Sequence, residues 1–387
     1  MTRRERLLRT FRGEPVDRPP VSFYEINGLT QDPDHPDPYN IYADPSWRPL
    51  LTLAAEATDR IVLTGVGLRN APPDPAAALT RVVTREEGAS RLTETTVHAP
   101  GRTLRQRTRR DRDVQTVWTL EHLLKDADDL RAWLELPEAP LAGTPDPAPV
   151  RALDARIGET GVVALDTPDP LCAVASLFSM EDFTVIAMTE PDLFHRALAR
   201  VARRLHWRTA AVAAALPGRL WRIYGPEYAS PPYLPPRLFR AYVVDYVTPM
   251  VEAIRRHGGA PRIHSHGNLD AILEGILATG ARGLDPVEPP PQGDVTLADV
   301  RARTGDGFVL FGNLEASDIE TLPPDRMRSR VETALREGPD RAGSAFVLMP
   351  SACPYGRVLS DRALTNYRVI LETLHAVTGA PNRSTVA

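Results

Sequence analysis

Two histidines one residue apart, in Pro261-Arg-Ile-His-Ser-His-Gly267, are the residues of this chain best spaced to act together. In an extended strand successive side chains alternate faces, so His264 and His266 project from one side, roughly 7 Å apart along the chain. Two imidazoles so placed can share one ion. Zinc accepts His nitrogen at about 2.1 Å and Cys thiolate at about 2.3 Å. Cys353, in Pro350-Ser-Ala-Cys-Pro-Tyr-Gly356, ends the last apolar run before the final helical pattern and is the candidate third ligand. The expectation is a zinc ion held by His264, His266 and Cys353, with the fourth position open to Glu227, water or substrate. Taken singly, a His-x-His pair also reads as a hydrogen-bonded structural pair, and a lone cysteine as a small core residue.

Composition narrows the partners. A formal net charge of -4 and a pI near 6.2 give no electrostatic footprint for nucleic acid or an anionic membrane, so a small-molecule substrate is expected. Arginine replaces lysine almost throughout, Lys125 being the single lysine. The only cysteines, Cys172 and Cys353, exclude a disulfide framework, and a reducing compartment would leave Cys353 free to ligate as a thiolate. The N-terminus is charged with no apolar segment behind it, and no run approaches the ~18 apolar residues of a membrane span. A cytoplasmic location is expected.

The elements that must position these residues follow a rhythm. Residues 2–12 carry Leu7, Leu8 and Phe11 among arginines and predict a short amphipathic helix. Pro20-Val-Ser-Phe-Tyr-Glu25 predicts a strand, and a helix near 46–57 leads to a second strand at 60–64. Residues 79–119 then alternate, with turns at Glu87-Gly88 and Pro100-Gly101, and predict an antiparallel β-hairpin insert. Helical patterns at 121–135 and 148–158 flank a proline-rich link. From residue 161 strand and helix alternate regularly, with strands at 162–166, 220–224, 262–266, 283–287, 308–311 and 345–349.

Eight β-α units favour a single (β/α)8 TIM barrel over residues 1–387 rather than an open doubly wound sheet, and no Gly-x-Gly-x-x-Gly follows any strand. Chemistry in such barrels gathers at the C-terminal strand ends. The polar residues expected there are Tyr24, Glu25, Asp166, Asp169, Glu227, Asp285, Glu288 and Asn313, together with the two histidines and Cys353. The mouth should therefore be acidic, with almost no arginine. Tyr24, Asp166, Glu227 and Glu288 are the candidate catalytic groups. Glu227 and Glu288 compete for a fourth ligand position or an acid–base role, and either could instead orient an imidazole.

These motifs carry a resemblance over nearly the whole chain. Glu14-Pro-Val-Asp-Arg-Pro-Pro20, His264-Ser-His-Gly267, Gly312-Asn313 and Pro350-Ser-Ala-Cys353 resemble the uroporphyrinogen decarboxylase superfamily. Its two branches are tetrapyrrole decarboxylases and zinc-dependent methyltransferases that pass methyl groups between a corrinoid and a thiol. The decarboxylases carry an Arg-Gln-Ala-Gly-Arg stretch after the first strand to bind propionates, where this chain reads Phe23-Tyr-Glu-Ile-Asn-Gly28, acidic instead of basic. Asp59 is similar in position to an Asp that family members use against pyrroles; a helix-to-strand turn is its other reading. The methyltransferase branch has a His-x-Cys motif and a later Cys as zinc ligands, and His264, His266 and Cys353 fall on those positions, with His in place of the middle Cys.

The resemblance implies a zinc-dependent transferase moving a methyl group between a corrinoid (cobalamin) and a thiol or other heteroatom, with a corrinoid protein as candidate partner. The change from Cys to His removes one negative charge from the ligand set and makes a bound thiolate less electron-rich. Decarboxylation of a non-uroporphyrin acid is the second reading, metal-dependent hydrolysis the third, and a non-catalytic metal- or corrinoid-binding protein the non-enzyme alternative.

Overall fold

The computed structural model describes residues 1–379. Its strands, in chain order, are β1 (Arg60–Thr64), β2 (Leu68–Arg69), β3 (Thr80–Glu87), β4 (Ser90–Ala99), β5 (Arg102–Asp111), β6 (Val117–Glu121), β7 (Thr144–Pro145), β8 (Gly161–Pro168), β9 (Leu220–Tyr224), β10 (Ala260–His264), β11 (Gly283–Asp285), β12 (Val309–Leu314) and β13 (Phe346–Pro350). Seven of them form one parallel sheet in the order β1-β8-β9-β10-β11-β12-β13. Val162-Val-Ala-Leu165 and Phe346-Val-Leu-Met349 are apolar on both faces and buried on both, as strands clothed by helices must be. The outer layer includes the long helix Pro191–Ala215, which turns Leu193, Phe194, Ala197, Leu198 and Val212 inward.

The strand expected over residues 20–25 is not formed. Val21 makes one parallel bridge to Leu348. Ser22 N–H donates to Leu348 O at 3.0 Å, and Asp59 N–H donates to Val21 O at 2.7 Å. The segment thus stands between β13 and the residue preceding β1, spanning the gap between the two sheet edges without a ladder of its own. Two causes are local: Pro19 and Pro20 have no N–H to offer, and Tyr24 at φ 53° leaves the extended region. The fold is a curled seven-stranded parallel sheet whose eighth position is filled by irregular backbone.

The insert is a separate antiparallel sheet in the order β3-β4-β5-β6, running from Thr80 to Glu121. Its fourth strand, Val117–Glu121, carries the insert two residues beyond the expected end at 119, and its pairing with β5 shifts register between Arg107 and Thr108. Val97, Ala99 and Leu104 anchor the sheet to the main core.

Asp59 is structural. It lies at the N-terminal end of β1, fully buried, and accepts from Arg6 Nη1 at 2.5 Å, Arg18 Nη1 at 2.8 Å and the Val21 N–H at 2.9 Å. It ties the first helix, Arg3–Phe11, to the end of the sheet opposite the strand C-termini.

Candidate active site

Strand register assembles the site. Pairing of β8, β9 and β10 sets Asp166 beside Arg222 and Arg222 beside Arg262; two residues further along, Tyr224 lies beside His264 and His264 beside Asp285. These rows present a connected polar network at the strand C-termini.

Arg222 is its centre. Its Nε and Nη2 donate to the two oxygens of Asp166, both at 2.8 Å, and Nη1 donates to Tyr24 Oη at 2.6 Å and to Glu25 Oε1 at 3.1 Å. Tyr24 Oη, having accepted from Arg222, has its own proton to give, and His264 Nε2 lies 3.4 Å away. His264 Nδ1 lies 3.1 Å from Asp285 Oδ2. Burial would raise the Asp285 carboxyl, but Arg262, His264 and Arg222 hold it down at about 2, so it accepts and His264 carries its proton on Nδ1. In the neutral tautomer that this contact selects, Nε2 is the lone-pair nitrogen. Burial pushes the Tyr24 phenol well above its usual range. Arg262 is buried with Nε 3.2 Å from Asp285 Oδ1, and its guanidinium carbon stands 4.3 Å from the Phe311 ring centroid.

His266 stands next to His264, the ring centroids 4.6 Å apart and the planes nearly perpendicular. The two imidazoles are adjacent as expected, but the strand expected over 262–266 ends at His264, so His266 is placed by the loop that follows β10. His266 Nδ1 lies 2.8 Å from Glu288 Oε1, and Glu288 Oε2 accepts from the Gly267 N–H at 2.7 Å. Burial lowers the basicity of His266, but the Glu288 hydrogen bond and charge, with Glu227 and Asp285, outweigh it, and the ring is more basic than an ordinary histidine. His266 remains 36% exposed at its side chain, against 8% for His264. Glu288 therefore orients an imidazole, one of the roles its position allowed.

Glu227 sits on the 3-10 turn Pro226–Ala229, entered through Gly225 at φ 115°. A Cβ at Gly225 would stand 2.0 Å from Cys172 Cβ, so only glycine lets the chain turn this tightly. Burial raises the Glu227 carboxyl above its ordinary range, the charge of Glu288 adds to this, and the backbone and the two histidines oppose it only in part. Its Oε2 is buried without a hydrogen-bond partner. Asp169, expected at the mouth, is instead fully buried and caps the short helix Pro170–Ala175 through the Cys172 N–H at 2.6 Å.

Cys353 is half-buried, and its thiol is pushed up to about 12 by burial and the charge of Glu25, with Arg222 opposing. Its electrostatic neighbours are Glu25 and Arg222, and it acts in turn on Tyr42 and Tyr367. Burial thus opposes ionisation of the thiol that was expected as a free thiolate. Among the described residues no three His, Cys, Asp or Glu side chains converge closely enough to hold an ion. The donor set matches zinc in the imidazole pair, whose Nδ1 atoms are held by carboxylates as ligating histidines require. The third ligand is not brought to it.

The expectation of a mouth nearly free of arginine is corrected by Arg222 and Arg262. Both could have been found, because Arg262 shares its strand face with His264, and Arg222 interrupts an otherwise apolar strand. Arg222 is hydrogen-bonded to Asp166 and Glu25, and the charge of Arg262 is compensated by Asp285, its Nη1 being buried without a hydrogen-bond partner.

A curled parallel sheet with paired histidines, carboxylates and a tyrosine at its strand C-termini defines an α/β barrel-type enzyme. Residues 170–377, more than half of the chain, match the family Uroporphyrinogen decarboxylase (URO-D), and the protein belongs to that family. A methyltransferase from Methanosarcina mazei has a similar fold, with a TM-score of 0.58 and 18% sequence identity over 97% of this chain and 99% of that one. No protein of curated function matches the chain. No helix among the described residues is long and apolar enough to cross a membrane.

Proposed function

We propose that this protein is a methyltransferase of the family, moving a methyl group between a corrinoid and a thiol at the His264–His266 side of the mouth. One observation carries the reading: two adjacent imidazoles, each held at Nδ1 by a carboxylate, in a mouth whose arginines are already paired. A tetrapyrrole with many carboxylates needs uncompensated cations. Arg222 and Arg262 are neutralised by Asp166, Glu25 and Asp285, which speaks against uroporphyrinogen as substrate. The similar fold of a methyltransferase adds support.

Each residue then has a task. Glu288 and Asp285 fix the rings. His266, the more exposed of the two and more basic than an ordinary histidine, would accept the thiol proton as the S–C bond forms, the electron pair of the broken Co–C bond being left on the corrinoid. Glu227, whose carboxyl burial raises above its ordinary range, is the group that would give a proton to a heteroatom that must leave when the methyl donor is not a corrinoid. Arg222 positions Tyr24 against His264. Anaerobic incubation with methylcobalamin and a thiol tests the proposal: thioether formation with loss of methylcobalamin is expected. Release of CO2 from a carboxylic acid substrate without methyl transfer would overturn it in favour of the decarboxylase reading.

A further inference from the structure

The insert sheet has two edges, and they are treated differently. β6 is five residues long and its pairing with β5 contains a register shift, two features that blunt an edge against further pairing. β3 has neither. It pairs regularly with β4 over eight residues, from Thr80↔Val97 to Glu87↔Ser90, carries no proline, and Arg81–Glu87 are exposed throughout, with Val82 at 60% and Val83 at 40%. Arg81 has no ion-pair partner among the described residues, whereas Glu86 is held back by Tyr39 and Arg91 and does not obstruct the edge.

The geometry points to this edge as the interface with a second copy of the chain, β3 pairing antiparallel with β3 across a twofold axis at Thr84. The hydrogen-bond alternation sets which backbone groups are free. Counted from the pair Glu87–Ser90 that closes the two-residue hairpin, it turns the N–H and C=O of Val82, Thr84 and Glu86 outward. Centred on Thr84, the pairing sets Thr84 against Thr84 and Val82 against Glu86, so every outward group meets an outward group. On the other face Arg81 lies opposite Glu87, and Val83 lies under the aliphatic stem of Arg85. The registers centred one residue to either side set Arg81 against Arg85, or Arg85 against itself. Against these two neighbours the charge pattern favours the register centred on Thr84, which pairs at least as much of β3 as either of them and is self-complementary, as a twofold interface must be. Pairing would join the two inserts into one continuous eight-stranded sheet.

Sedimentation velocity of the full chain tests this, up to about 100 µM because a strand-pair interface is smaller than the standard ~1,600 Å². A reversible doubling of mass is expected. Arg81→Glu should weaken association at least about tenfold, Arg81→Glu/Glu87→Arg should restore it, and Thr84→Pro, which removes the N–H at the axis, should abolish it. These positions are exposed, and the far-ultraviolet circular dichroism of each variant checks the fold. A monomer at the highest concentration would overturn the inference, as would a dimer indifferent to Arg81→Glu and Thr84→Pro, or a dimer that the charge swap fails to restore.

Discussion

Replacing Arg222 by methionine tests whether the mouth is organised as described. Methionine fills the space of the arginine stem, so the loss is the guanidinium and its four donor contacts: two at 2.8 Å to Asp166, one at 2.6 Å to Tyr24 and one at 3.1 Å to Glu25. Breaking a fully buried ion pair costs about 3–5 kcal/mol because the partner is left charged and dry. Here the Asp166 side chain is 22% exposed and that of Glu25 44%, so water recovers part of Asp166 and the Glu25 contact counts for little. Tyr24, 9% exposed, still loses its donor, a further ~1 kcal/mol. The expected destabilisation is about 3 kcal/mol, or just under ~1 M in the urea midpoint at a slope of at least ~3 kcal/mol per M. Urea unfolding of the wild type, Arg222→Met, Asp166→Asn and the double variant closes a cycle whose coupling should exceed about 1 kcal/mol. A single-variant loss below about 1 kcal/mol, or a coupling of zero, would refute the centrality of Arg222.

Asp285 sets an acid limb of stability. Its carboxyl is held at about 2 in the fold and titrates near ~3.9 when unfolded, so its contribution is complete above about pH 4 and disappears as pH falls toward 2, about 2 kcal/mol in all; Asp285→Asn should remove that slope from stability measured between pH 5 and 2. If zinc binds the imidazole pair, Glu288→Gln should weaken it about 10- to 100-fold in a chelator competition, and unchanged affinity would remove Glu288 from the site. Cys353, with its thiol near 12, should react with iodoacetamide at pH 8 far more slowly than a free thiol, and a fast reaction would mean that burial does not hold it neutral. Limited proteolysis should yield no stable fragment ending near residue 150, because we expect one domain with the insert at its rim.

The adjacency of His264 and His266 was anticipated from the two-residue period of a strand, although β10 ends at His264 and the loop after it sets His266, and the alternation of later strands and helices was legible because buried parallel strands are short apolar runs. The same period would have disclosed Arg262 beside His264. The missing first strand was partly legible in Pro19 and Pro20, but the positive φ of Tyr24 was not. That phenol is placed by contacts with Arg222 and His264, 198 and 240 residues away. A local pattern specifies which face a side chain takes. Which partner it meets there depends on inter-strand register and curvature, long-range quantities that no window of sequence contains. For the same reason Cys353, the expected third ligand, is found with Glu25, Arg222 and Tyr42, and Asp169, expected at the mouth, is a buried cap. By itself the sequence determined the alternating scaffold and the imidazole pair; the tertiary structure alone decided which carboxylates hold those imidazoles, which arginines are paired, and that burial raises the thiol.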